Sequence, residues 1–273
     1  MQSWFVWKGK NSREMGVWVS AVDGETRAAE RATYITIPGR SGTLKLSDGE
    51  NVFDAYTMQI VVTSLRRNNL EYVNEWLSGK SDLILNDSSN RAREAEISSM
   101  VAWSNISNDL CQATIAFHCQ PLKKQFPEEN AFSGQTSTYT IYNPGNVPSK
   151  PLVTLSVNAG TASLRIANKQ MDFSADAFST TKSYVSGDCV NYGTMYRFTQ
   201  QKAAGDWDSS KVVLIPNLVV DCEAKTVYTL INNVQNIFQG NIVGDFFEIP
   251  VGSSSVYANA NNNPIIVPRW RWK

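Results

Sequence analysis

Apolar and polar positions alternate along much of this chain. Met15–Val19, Thr33–Ile37, Ala55–Val62 and Cys111–Cys119 each mix β-branched and aromatic residues with partial period-two alternation, and clusters of Gly, Asn, Asp and Pro bound them. That is the signature of strands joined by turns. Met1–Trp7 is apolar, lacks a basic leading stretch and a small-residue cleavage site, and reads as a strand of the mature protein. One stretch breaks the period: Leu70, Val73, Trp76 and Leu77, between Asn69 and Leu77, stand at helical spacing. Ser64 is placed to cap that helix, and Gly79 to end it in a left-handed turn. The first part is therefore expected to be a β-rich domain carrying one short helix against its core.

Proline marks the next change. Gln120–Pro127 holds two prolines and is expected to end the long strand, and Asn143–Pro151 holds three more. Proline cannot donate to a sheet ladder and restricts its predecessor, so a boundary is expected at about residue 130. Residues 1–130 form one expected domain and 131–273 a second, which is strand-like again from Pro151–Val157 onward. No repeat of solenoid length and no low-complexity tract appears. The length of 273 residues fits two domains at ~100–200 residues each and is ample for a core without a metal or disulfide staple.

Charge narrows the function classes. Lys and Arg together number 25, as do Asp and Glu, so the net charge is zero, which argues against a protein built to grip nucleic acid. The longest nearly apolar run, Val212–Val220, is broken by Pro216 and Asn217 and falls far short of the ~20 residues that span a membrane. The four cysteines, Cys111, Cys119, Cys189 and Cys222, follow neither a metal nor a disulfide pattern and read as buried free thiols of a reducing compartment. His118 is the single histidine, which excludes multi-His metal sites. Its neighbours Phe117 and Cys119 point to the opposite sheet face, so Cys119 is a poor nucleophile partner for it. No GxSxG, HExxH or Walker-type motif occurs. The reading is non-catalytic, with no cofactor and no metal; the scattered carboxylates leave a cell-wall hydrolase as a third candidate.

Several short motifs follow one another in a recognisable order. They are Gly9-Lys10-Asn11-Ser12 with Met15-Gly16-Val17, the loop Ile37-Pro38-Gly39-Arg40-Ser41-Gly42, Trp76-Leu77-Ser78-Gly79, and Ile115–Pro121. Gly145-Asn146 before Pro151, Leu218–Cys222 before Val227-Tyr228, Phe246–Gly252 and Pro268–Trp272 complete the series. In this order, and apart from about 174–213, the chain resembles the distal tail proteins of long non-contractile-tailed phages. The resemblance implies a hexameric ring at the end of the tail tube, through which DNA passes as cargo. The first domain would build the ring, and a galectin-like β-sandwich would hang outward to carry host-recognition parts. It also implies the partners: the tail tube protein, a lysin-like tail-tip protein and a receptor-binding or fibre protein. The place implied is the virion tail tip, after assembly in the host cytoplasm.

Within the loop, Gly39 and Gly42 permit positive φ, so the chain can turn sharply and hold Arg40 outward. Pro38, Gly39, Arg40 and Gly42 are the candidate ring or tube contact, the alternative being a hairpin turn with a solvated arginine. Arg66-Arg67 opposes the helix dipole and reads as a solvated face or as a channel or intersubunit contact. Trp270 and Trp272 are two residues apart and are expected to pack from one face of a final strand.

Residues 174–213 resemble a small chitin-binding-type carbohydrate module. Tyr184, Tyr196 and Trp207 are its candidate glycan-binding residues, since aromatic faces stack on sugar rings. The turn between Tyr192 and Tyr196 is one residue shorter than the usual pattern, and Phe178 stands where Trp is common. In so small a module the three rings also fit a core, the reading the residues favour. A carbohydrate-binding adhesin acting through this insertion, on a cell-wall glycan, is the alternative function.

Overall fold

The computed structural model describes residues 3–23, 28–47, 52–65, 70–128, 131–133, 138–258 and 264–273. The chain is mainly β and divides into two compact units, Met1–Glu128 with Arg271–Lys273, and Glu129–Trp270.

Unit 1 contains β1 (Phe5–Trp7), β2 (Lys10–Asn11), β3 (Val17–Asp23), β4 (Ala32–Thr36), β5 (Thr43–Ser47) and β6 (Tyr56–Leu65). Then come α1 (Leu70–Trp76), β7 (Gly79–Leu85), β8 (Arg91–Ile97), β9 (Ser104–Asn105) and β10 (Leu110–Gln125). The main sheet runs β2-β1-β7-β8-β10-β6-β3, antiparallel at each pairing. Its buried side is set by alternation: Met58, Ile60 and Val62 on β6 face the same core as Ala113, Ile115 and Phe117 on β10. Helix α1 closes that core with Val73, Trp76 and Leu77. Trp76 stacks on Phe5 at 5.6 Å and donates its indole N–H to the Trp7 carbonyl at 2.8 Å. A large ring is buried there without stranding its one donor.

Three sequence expectations need correction. Ser64 does not cap α1: it lies inside β6, buried, with its hydroxyl donating to the Gly16 carbonyl at 2.9 Å. The residues immediately before α1, including Arg66 and Arg67, lie outside the described residues. The long strand does end within Gln120–Pro127, at Gln125, but the first of the two prolines, at 121, does not end it, since β10 continues through it. The pairing of β10 with β8 shifts register between Cys119 and Lys123, and such an irregularity is where a strand tolerates a residue without an N–H.

Unit 2 contains β11 (Phe132–Ser133), β12 (Thr138–Asn143), β13 (Leu152–Ser156), β14 (Thr161–Ile166), β15 (Lys169–Ser174) and β16 (Asp176–Ala177). It continues with β17 (Cys189–Asn191), β18 (Met195–Phe198), β19 (Val212–Leu214), β20 (Asn217–Asp221) and β21 (Thr226–Ile231). The last strands are β22 (Val234–Ile237), β23 (Asn241–Gly244), β24 (Gly252–Ala258), β25 (Ile265–Val267) and, back in unit 1, β26 (Arg271–Trp272). Among the described residues one sheet runs β11-β25-β13-β20-β21-β22 and a second β12-β24-β14-β15-β23. Each buries alternate residues, Val153, Leu155, Leu218 and Val220 in the first and Leu164, Ile166, Met171 and Val256 in the second. Two sheets that each hide one face make a β-sandwich. Between β15 and β20 the chain forms a separate small sheet, β16-β17-β18-β19, in which β16 and β17 are parallel.

The third correction concerns the C-terminus. Trp270 and Trp272 do not share a strand: Trp270 is buried in unit 2 against Phe132, whereas Trp272 lies on β26, which pairs with Lys123–Lys124 of β10 in unit 1. Arg269 adopts a left-handed φ of 54° just before, and its guanidinium grips Asp221 at 2.8 and 3.2 Å. That kink and bidentate clamp interrupt the strand that the spacing of the tryptophans predicts.

Candidate functional site

Two features of the surface stand out. The first is the hairpin of β4 and β5. Its register pairs Ile35 with Leu44 and Thr33 with Leu46 on one face, and Tyr34 with Lys45 on the other. Among the described residues these strands pair only with each other, and apart from the half-covered Ala32 the ladder from Ala32 to Ser47 is exposed on both faces. Tyr34 is 64% and Leu46 46% exposed. A lone two-stranded ribbon is marginal in water, and apolar side chains on such a ribbon mark a surface that a partner covers.

The tip is the loop that sequence reasoning singled out. The Arg40 amide donates to the Ile37 carbonyl at 3.1 Å, Gly39 has φ 78° and Gly42 φ 83°. Pro38 followed by a left-handed glycine is the pattern of a type II turn. Pro38, Gly39, Arg40 and Gly42 are all exposed, and the Arg40 side chain has no hydrogen-bond or ion-pair partner among the described residues. At the base, Lys45 donates to Glu30 at 2.6 Å and Arg31 meets Asp54 at 2.7 Å. The Lys45 ammonium, then the Ser47 hydroxyl, hold the Glu30 carboxyl below its ordinary range, and Glu30 raises Lys45 in return.

The second feature is the small sheet of β16–β19. Its core is Tyr184, Val190 and Phe198, with Phe178, Tyr196, Trp207 and Val212 packed around it. Tyr184 is 6% exposed and sandwiched between Phe178 at 5.5 Å and Phe198 at 4.7 Å. Its hydroxyl accepts from the Ser179 amide at 2.8 Å and donates to the Ser179 carbonyl at 3.3 Å. Lys202, also buried, donates to the Ala203 and Gly205 carbonyls and lies 5.3 Å from the Phe178 ring centre. Tyr196 and Trp207 are half-buried and meet edge to face at 5.0 Å. The outermost ring is Tyr192, 52% exposed and stacked on Trp207 at 4.4 Å. Sequence reasoning passed over Tyr192 because it read the tyrosine as one end of a turn. The signal that finds it is the Tyr192-Gly193 pair, which puts the ring beside a tight turn and so at the surface.

The remaining sequence candidates stay apart. His118 is exposed while Cys119 on the next position of β10 is buried, and burial pushes that thiol up to about 11. All four cysteines are free and buried. Among the described residues no group of three or more His, Cys, Asp or Glu side chains could hold a metal ion, and no helix is long and apolar enough to cross a membrane.

The architecture has a counterpart among solved structures. A solved structure that is similar over 100% of this chain, and 100% of its own, is that of the SPP1 Dit (gp 19.1) protein, at a TM-score of 0.64 and 13% sequence identity. That protein is described as a paradigm of the hub adsorption apparatus in phages that infect Gram-positive bacteria. At that identity the likeness establishes a shared fold. No protein-family profile and no curated protein sequence matches the chain.

Proposed function

We propose that this protein is a distal tail protein, a non-catalytic hub at the tip of a long phage tail. The observation that carries the reading is the correspondence of fold with SPP1 Dit along the full length of both chains. The exposed β4–β5 hairpin supports it, because a ring subunit needs a surface that only a neighbouring copy covers. Six copies close a head-to-tail interface, which stops at a fixed number when the rotation closes. Unit 1 builds the ring, with Pro38, Gly39, Arg40 and Gly42 at a ring or tube contact. Unit 2, a galectin-like sandwich, carries receptor-binding or fibre proteins; one ring face meets the tail tube and the other the tail-tip protein. Assembly takes place in the host cytoplasm and the product resides at the virion tail tip. The test is the native mass at high concentration by light scattering, with negative-stain imaging. A ring of six, or two stacked rings, is expected; a monodisperse monomer at every concentration, also with tail tube protein added, opposes the reading.

One observation favours a second role for the insertion. Tyr192 presents an open ring face backed by Trp207, the arrangement on which a sugar ring stacks. In this reading a cell-wall glycan binds at Tyr192 and Trp207 with Tyr196 beside them, while Tyr184 holds the module together. Binding to host cell-wall polysaccharide that disappears in Tyr192→Ala, with the fold intact, would support it, and equal binding by that variant would end it. If glycan binding persists where no ring forms, the protein is an adhesin rather than a hub.

A further inference from the structure

The insertion leaves the sandwich after β15 and rejoins it at β20, so two chain crossings alone would let it swing. Unit 2 closes that freedom at three places. The first is the turn between β13 and β14, where Ala159 and Gly160 have φ of 48° and 75° and Asn158 and Thr161 exchange both backbone hydrogen bonds at 3.0 Å, a type I′ turn. The Asn191 side chain lies against its tip so closely that a Cβ on Gly160 would stand 2.2 Å from it. The second reverses the roles. Gln239, between β22 and β23 of the sandwich, lies over Gly187 of the insertion, where a Cβ would stand 2.8 Å from the glutamine oxygen. Arg197 joins this contact, donating from one guanidinium nitrogen to the carbonyls of Gly187 and Ile237, at 3.2 Å each. In the β21–β22 hairpin the two-residue turn at Asn232 and Asn233 makes Ile231 and Val234 a hydrogen-bonded pair, so Ile237 directs its carbonyl away from β21. Among the described residues β22 is the last strand of its sheet, and the insertion supplies the donor that this carbonyl would otherwise find in water. The third contact is at the root, where Asn241 donates to Asp176 at 3.0 Å.

Asn191 is also the residue before Tyr192. Its carbonyl accepts from the Phe178 amide and the Tyr192 amide donates to the Thr194 carbonyl, both at 2.9 Å, so hydrogen-bonded chain links the first contact to the exposed ring. We infer that the insertion is locked on the sandwich in one orientation, and that Gly160, Asn191 and Arg197 are positioning residues that fix the direction in which the Tyr192 face points. The inference rests on the glycan reading for its use and adds what makes that contact effective. A swinging module meets a surface one copy at a time, whereas a locked one presents the same face from every copy, the geometry that avidity requires.

The experiment places one spin label on the insertion, at Ser183→Cys, and one on the sandwich, at Ser253→Cys, in the full chain. Both positions are exposed and the four native thiols are buried. Labelled chain is diluted with unlabelled chain so that pulsed dipolar spectroscopy reads distances within one copy. A single narrow distribution is expected. Asn191→Ala with Arg197→Ala should broaden it while amide protection inside the insertion is kept, since neither residue belongs to the cluster of Tyr184, Val190 and Phe198. The same double variant, unlabelled, should bind host cell-wall polysaccharide about tenfold more weakly. A broad distribution in the labelled chain without these two substitutions overturns the lock, and one that stays narrow in the double variant overturns the role of the two residues. Undiminished polysaccharide binding by a variant with a broadened distribution overturns positioning. Absence of binding by the unmodified chain overturns the glycan reading and positioning with it, and the distances alone then decide the lock.

Discussion

Replacing Tyr184 by alanine tests whether this ring is the core of the insertion or part of its binding surface. The side chain is 6% exposed, has a phenylalanine on each face, and its hydroxyl satisfies both backbone groups of Ser179. Removing a buried aromatic ring costs ~3–5 kcal/mol, and the Ser179 amide left without its acceptor adds ~1 kcal/mol more. At 1.4 kcal/mol per factor of ten, the opening equilibrium of the insertion shifts by about three to four orders of magnitude. A scan of global unfolding would blur this, because the chain has two units and local opening is not global. Amide hydrogen exchange resolved to peptides across 176–214 reads it directly. Tyr184→Ala should lose protection throughout that segment while the strands of unit 1 keep theirs. Tyr184→Phe, which keeps the stacking and loses only the hydroxyl, should lose about tenfold. Protection within tenfold of the original protein in Tyr184→Ala would refute the core assignment. Tyr192→Ala is the contrast: its ring is half in water, so protection should fall by tenfold or less.

The other expectations are simpler. None of the four thiols should react with an aromatic disulfide reagent at pH 8 in the native protein, and all four should react in guanidinium, since burial pushes Cys119 to about 11 and Cys222 to about 12. Asp221 is held below its ordinary value, first by the hydrogen bond from Arg269, so its contribution is present above the unfolded carboxylate pKa of ~3.9 and is lost as pH falls through the lower folded value. Asp221→Asn should therefore destabilise unit 2 at pH 7, in thermal unfolding, and the difference should close under acid. Trp76→Phe keeps the stack on Phe5 but loses the hydrogen bond to the Trp7 carbonyl, costing unit 1 ~1–3 kcal/mol in urea unfolding. Gly39→Ala strains the left-handed turn by ~1–2 kcal/mol and should weaken assembly in light scattering while leaving the unfolding midpoint of unit 1 nearly unchanged, because among the described residues nothing lies within 4 Å of a Cβ at this position and the exposed turn can open locally.

What could be read in the sequence follows from how local its cause is. The helical spacing of Val73, Trp76 and Leu77, the alternation of Cys111–Cys119 and the Pro38-Gly39 turn are all set by residues a few positions apart, and each appears in the structure where its pattern lies. Ser64 misled because a serine before a helix looks like a cap, whereas here a neighbouring strand supplies the Gly16 carbonyl and β6 runs through it. The proline at 121 misled for a similar reason, since the ladder shift beside it is decided by β8 and not by the proline's own neighbours. At the C-terminus the spacing of Trp270 and Trp272 predicted one strand face, but the Arg269–Asp221 clamp, spanning 48 positions, turns the chain between them. The insertion shows the same division. Its aromatic composition was visible, but which ring lies inside and which outside depends on how Phe178, Phe198 and Trp207 meet around Tyr184 and Tyr192.

The surfaces assigned to contact are the parts of the chain that add least to its own fold. Among the described residues the β4–β5 ribbon pairs with no other sheet, and the ion pairs at its base are half-exposed and screened by solvent. Such an arm has little reason to hold apolar side chains in water unless their burial happens in the assembled state. The same logic applies to Tyr192, exposed and stacked on Trp207. On a closed ring each of these small patches is repeated once per copy. An arm contact too weak to hold two copies together then becomes stable when the last subunit closes the circle, because closure forms two interfaces for one association. A sugar contact of millimolar strength gains in the same way, provided the copies face one surface together. The marginal hairpin and the outward ring of Tyr192 are thus what the proposed hub requires: contacts weak one by one and strong only in number.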